Sequence, residues 1–179
     1  NGSNAENIIK YFKSNKRIQI AYVFSNNPKS KALVRSKSHN IQTTIFNKIE
    51  LNNGQVFKRL KEKKINFIIL AGFLLKIPLE ITNAYRNKII NIHPSLLPLY
   101  GGKGMYGMNV HQKVFKAKEE ITGITIHFVN GAYDKGSIIF QAKTPLSPKT
   151  SPKDIQKKVH KLELKFFPRI IENLLNGAD

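Results

Sequence analysis

The chain contains no cysteine and no tryptophan. The lack of cysteine excludes disulfides, thiolate metal sites and a cysteine nucleophile. Acidic residues are scarce: 11 Asp and Glu stand against 30 Lys and Arg, for a formal net charge of +19. No apolar run approaches the ~18 residues that a membrane-spanning helix needs. The opening Asn1-Gly2-Ser3-Asn4 is polar and lacks the pattern of a signal peptide. A cytoplasmic protein with no membrane partner is therefore expected. The excess positive charge is spread along the chain, without a basic-aromatic motif of an RNA-binding type. It reads as a compositional bias that secondarily attracts anionic substrates, and no nucleic-acid partner is expected.

What is present is an ordinary globular balance, 41% hydrophobic. A chain of 179 residues suits one core and is marginal for two, so one domain over residues 1–179 is expected. Arg17–Phe24, Ile41–Phe46, Asn66–Ala71 and Lys88–Ile90 read as short apolar strands. Ser30–His39, Gln55–Lys63 and Pro78–Tyr85 read as the helices between them. That alternation predicts an α/β fold, a mostly parallel sheet with helices on both faces. Thr122–Val129 and Ser137–Ala142, joined by a short loop, predict an antiparallel hairpin nearer the C-terminus. Ser3-x-x-Glu6 fits a capping box ahead of Ile8, Ile9 and Phe12 at helical spacing. Leu99–Met108 reads as a mobile glycine-rich loop, and Asn109 as the cap of a helix reaching Lys118. The last helix should run from Pro152 to about Leu175 and be kinked or divided at Pro168.

The stretch with the most chemistry is Asn91-Ile92-His93-Pro94-Ser95-Leu96-Leu97-Pro98. It closes a buried strand, because Pro94 cannot continue a ladder. Asn91 and His93 are two apart and share a face of an extended backbone. Strand carboxyl ends are where open parallel sheets bind ligands. An amide can donate to a developing oxyanion, and an imidazole beside it can move a proton near neutral pH. The pair suits acyl transfer to an amine. Taken alone, it is equally a satisfied polar pair at a strand end.

The full string resembles the signature of the folate-dependent formyltransferases, as does the later Asp134-Lys135-Gly136. The Gly2-Ser3-Asn4 turn is similar to that of the members acting on phosphoribosylglycinamide. The resemblance implies a Rossmann-like fold, a 10-formyltetrahydrofolate cosubstrate, no metal, and a monomer or homodimer. It implies Asn91, protonated His93 and Asp134 as catalytic residues, with His127 and Thr125 supporting them. Asn1, Gly2, Ser3 and Asn4 would hold the substrate phosphate. Gly72, Pro94, His111 and Glu163 would border the substrate, with Glu163 on the ribose. Leu74, Leu75, Ile77, Val129, Asn130 and Asp134 would border the folate. Leu75 stands where many members carry a basic residue, which leaves an apolar or backbone contact there. Members begin with a central strand before this turn, so roughly eight to ten further residues are expected ahead of Asn1, and a gap in the sheet without them. The rival expectations are a methionyl-tRNA formyltransferase-like or formyltetrahydrofolate hydrolase activity, and a non-catalytic basic nucleic-acid-binding module.

Overall fold

A computed structural model describes residues 2–177. The described elements are α1 (Ser3–Phe12), β1 (Tyr22–Ser25), α2 (Lys31–Ser38), β2 (Gln42–Ile45), α3 (Lys48–Asn52), α4 (Gln55–Glu62) and β3 (Ile68–Leu70). They continue with α5 (Leu79–Ala84), β4 (Ile89–His93), α6 (Met108–Lys116), β5 (Ile121–Phe128), β6 (Ile138–Pro145) and α7 (Pro152–Asn176). The pair β1–β2 is parallel, as is β3–β4. β5 runs antiparallel to β4 and to β6, so the expected hairpin is present.

β4 sits between two cores because successive side chains leave a strand on opposite faces. Ile90 and Ile92 join Ile124 and Ile126 of β5 beneath α1, α6 and α7, with Phe12, Val110, Val159 and Phe167 among the buried contacts. Ile89 faces the other way, into a core with Leu51, Val56, Leu60 and Ile81 from α3, α4 and α5. Each fully buried isoleucine contributes about 1.5–3 kcal/mol relative to exposure, and Ile89 and Ile90 are both 0% exposed. Two apolar faces meeting one strand hold β4 in place, together with the side chains at its end.

The sheet is broken where the sequence leads one to expect a gap. β1–β2 and β3–β4–β5–β6 are separate sheets. Between them lies a cavity of about 920 Å³, walled by Tyr22, Val23 and Phe24 on one side and Ile68, Ile69 and Leu70 on the other. β1 is also shorter than expected: Arg17–Ala21 carries no strand pairing.

Three local expectations are corrected. α1 starts at Gly2 in the left-handed region (φ 70°), with no side-chain cap. A Cβ at Gly2 would meet Ala32 N at 2.5 Å, so the turn needs glycine for its approach to α2 as well as for its φ. Glu6 does not close a capping box; its carboxylate pairs instead with Lys10 at 2.9 Å and with Arg35. α6 starts after Gly107 rather than at an Asn109 cap; the Asn109 amide reaches back to the Gly104 carbonyl at 3.4 Å.

The third concerns α7, one helix of 25 residues that is not divided at Pro168. Proline lacks the N–H that would reach the carbonyl four residues back, that of Leu164. Asn7 of α1 donates its side-chain amide to that carbonyl at 2.8 Å. The acceptor left over by the proline is satisfied from another helix, and α1 and α7 are joined at that level.

Candidate active site

Asn91 and His93 end β4 on the face of Ile89. Across the ladder they stand opposite His127 and Thr125 of β5. Directly opposed residues share a face, so four polar side chains gather at one strand end. Thr125, fully buried, supports the turn that follows. Its hydroxyl donates to the Ser95 carbonyl (2.7 Å) and accepts from the Leu97 N–H (2.9 Å) and the Gln141 amide (2.9 Å). Pro94 lies within this braced turn.

Hydrogen-bond partners decide where the ring protons sit. His127 Nδ1 is 2.8 Å from the Phe128 carbonyl, which can only accept, so Nδ1 carries the proton. Its Nε2 accepts from the Asn91 amide nitrogen at 3.1 Å. His127 therefore orients Asn91 and leaves the second amide N–H for a ligand. By the same reasoning His93 Nε2 donates to the Tyr100 carbonyl at 2.8 Å. Nδ1 is left facing Asp134 Oδ2 at 3.6 Å.

Asp134, in the loop between β5 and β6, has φ 52°. Its Oδ2 accepts from the Gly102 N–H at 2.8 Å, and its Oδ1 lies 3.6 Å from His127 Nε2. Burial raises the Asp134 pKa, but contact with His127 and the Gly102 N–H outweighs it. The carboxyl sits below its ordinary range. For His93, 3% exposed, burial dominates over the pull of Asp134 and Tyr100 and lowers the imidazole pKa. Burial thus favours the neutral imidazole, while Asp134 and the Tyr100 carbonyl favour the protonated form.

A second cluster joins α1 and α7. The Asn4 amide donates to Glu163 Oε2 at 3.0 Å, and His160 Nδ1 lies 3.0 Å from the same oxygen. Asn4 Oδ1 is buried without a hydrogen-bond partner. Gly2 and Ser3 form the uncapped helix start beside it; Asn1 lies outside the described residues. His111 is buried on α6 with Nδ1 unpartnered. Burial lowers its pKa, and it senses the charges of Glu163 and His93. Glu163 also raises the His93 pKa, as the smallest of its influences. His160 and Asn7 escaped the sequence reading. The signals available were the His160-to-Glu163 spacing of three on a helix and the acceptor stranded by Pro168.

Residues 1–171 match the formyl transferase family. The chain belongs to that family. The phosphoribosylglycinamide formyltransferase of Bacillus subtilis (strain 168) is 33% identical over 181 residues, covering 98% of this chain and 90% of the relative. The chloroplastic phosphoribosylglycinamide formyltransferase of Arabidopsis thaliana is 34% identical over 142 residues, covering 76% of this chain and 49% of the relative. The chain thus spans about half the length of that plant relative. Among solved structures, the crystal structure of phosphoribosylglycinamide formyltransferase from Bacillus halodurans has a TM-score of 0.88 at 30% identity, covering 99% of this chain and 92% of that one. This formyltransferase therefore has the Rossmann-like α/β fold of its relatives.

Gly72, expected beside the substrate, and the expected folate-side residues lie in two connections, between β3 and α5 and between β5 and β6. Gly72 (φ 71°) turns the chain after β3. Leu74 is half exposed, whereas Leu75 packs against the core of α3–α5. Ile77 is buried in that core, so its side chain is turned away from solvent. Val129 is tied to β4 through its N–H and the Ile89 carbonyl at 2.9 Å. Asn130 is exposed and accepts from the Ala132 N–H at 2.9 Å. Among the described residues, no three His, Asp or Glu side chains are grouped to hold a metal ion.

Proposed function

We propose that this formyltransferase moves a formyl group from 10-formyltetrahydrofolate to the glycyl amine of phosphoribosylglycinamide, a step of purine biosynthesis. The observation that carries the reading is the cluster of Asn91, His93 and Asp134 at the end of β4. The phosphate would meet the first-turn N–H groups after Gly2, where no side chain competes for them. Glu163 and Asn4 Oδ1 offer acceptors for the ribose hydroxyls. Gly72, Leu74, Leu75, Val129 and Asn130 would border the folate, Ile77 contributing by packing beneath them.

In the proposed reaction the neutral amine attacks the formyl carbon, forming the new C–N bond. The remaining Asn91 N–H donates to the formyl oxygen as it becomes negative. The pair of Asp134 and neutral His93 takes the proton that the attacking nitrogen sheds. A proton returns to the folate nitrogen as its bond to carbon breaks, so the pair is regenerated. His93 passes through the imidazolium while the oxyanion lasts, stabilised by Asp134.

The test is formyl transfer from 10-formyltetrahydrofolate with phosphoribosylglycinamide as acceptor, following folate deformylation by absorbance. Acceptor-dependent turnover is expected. Acceptor-independent deformylation would replace the reading with a hydrolase, and turnover only with initiator tRNA would replace it with a tRNA formyltransferase.

A further inference from the structure

The loop after the Asn91–Pro98 string carries a contact that the proposed chemistry does not use. Tyr100 has φ 56°, in the left-handed region that bulky residues rarely occupy. Its carbonyl receives the His93 Nε2 proton. Its hydroxyl donates to Glu119 Oε1 at 2.6 Å. Glu119 follows α6, where its N–H reaches the Val114 carbonyl at 3.3 Å. The next two residues turn to the other member of the pair. A Cβ on Gly101 would meet Leu97 at 2.5 Å and the Asp134 Cβ at 3.3 Å, and the Gly102 N–H donates to Asp134. Three consecutive residues thus hold both His93 and Asp134.

We propose that Tyr100 and Glu119 are positioning residues: the Tyr100–Glu119 bond holds this strained loop so that His93 carries its neutral-state proton on Nε2 and aims the Nδ1 lone pair at Asp134. A left-handed tyrosine is strained and persists only where its surroundings fix it. A charge-assisted hydroxyl–carboxylate bond supplies such fixing from outside the site. Burial and Glu119 push the Tyr100 hydroxyl up to about 12, so it remains a donor across the working range. The groups facing His93 are Asp134 from the β5–β6 loop, His127 from β5, His111 from α6 and Glu163 from α7.

The inference rests on the proposed function only for its kinetic arm. Tyr100→Phe, Glu119→Ala and Glu119→Gln would be compared with the parent protein after their folding is checked by circular dichroism. The first readout is the ¹⁵N spectrum of His93, which distinguishes the tautomers without any substrate. A single Nε2–H tautomer is expected in the parent and a tautomer mixture in Tyr100→Phe and Glu119→Ala. Glu119→Gln retains an acceptor and should return the spectrum toward the parent. The second readout is turnover: kcat should fall about tenfold in Tyr100→Phe with KM nearly unchanged, as for loss of one hydrogen bond to a charged group. The acid limb of the kcat profile should move to lower pH, because the Tyr100 carbonyl raises the His93 pKa. An unchanged tautomer in folded Tyr100→Phe or Glu119→Ala overturns the inference. The spectrum remains decisive if no formyl transfer is found, so the two readings fail separately.

Discussion

The two clusters of the site treat their histidines in opposite ways. At the end of β4, burial pushes His93 down, and it pushes down His111 on α6. On α7, contact with Glu163 pushes His160 up. The difference lies in what each histidine is set against. His93 and His111 are buried, and burial favours their neutral forms. His160 is more exposed and sits on a carboxylate, which favours its protonated form. The polar atoms follow the same division. Both nitrogens of His127, one nitrogen of His93 and one Asp134 oxygen are hydrogen-bonded within the protein. By contrast, Asn4 keeps a buried oxygen without a partner. A reacting centre needs fixed atoms, whereas a recognition centre needs unspent ones.

The comparison can be broken most directly at Asp134. Asp134→Ala should lower kcat roughly 10²–10⁴-fold, since it removes the proton-carrying carboxylate. A steady-state assay checks this, and a near-normal kcat would remove Asp134 from the chemistry. Next comes Asn91→Ala, expected to lower kcat roughly 10²–10³-fold with little change in KM, as for loss of one oxyanion donor. A change confined to KM would instead assign Asn91 to ground-state binding. Glu163→Gln should do the reverse, raising the acceptor KM roughly tenfold while sparing kcat.

A smaller effect separates the clusters by pH. His93 and His111 have folded-state pKa values below the ordinary 6.5. Their contribution to stability is full above 6.5 and is lost as pH falls through the folded values, because the unfolded chain then binds more protons. His160 has a raised value; its contribution is full below 6.5 and is lost as pH rises through the folded value. Thermal melts of His111→Asn and His160→Asn across pH 5–8 should therefore flatten opposite sides of the stability curve. The acid limb of kcat/KM should likewise fall below 6.5, and a limb above it would contradict a neutral resting His93.

The sequence made the strand-end chemistry legible because β geometry is periodic. Asn91 and His93 two apart had to share a face, and the apolar Lys88–Ile90 run had to be buried. The hairpin and most helices followed from the same apolar spacing. Local readings failed where a distant residue decided the outcome. Glu6 had two cations at hand, Lys10 and Arg35, and chose them over the backbone N–H of a capping box. β1 lost its first residues where it borders the cavity. Ile77, folate-side by the resemblance, is buried with Phe46 and Ile81, neighbours that its place in a loop did not signal. Tyr100 and Glu119 had no signal in spacing at all, since a glycine-rich loop carries no period.

The bond from Asn7 to the Leu164 carbonyl has a consequence for how this chain tolerates substitution. Asn7→Ala should destabilise the fold by about 1 kcal/mol or somewhat more, since it strands a carbonyl that Pro168 cannot serve. In a Pro168→Ala background the new backbone N–H can serve that carbonyl, and the same Asn7→Ala change should cost less. A double-mutant cycle by denaturant unfolding measures the difference. Positions 7 and 168 would then behave as one inherited unit. A designer, or drift, would find either change easier once the other is in place, because the coupling energy of the pair is shared.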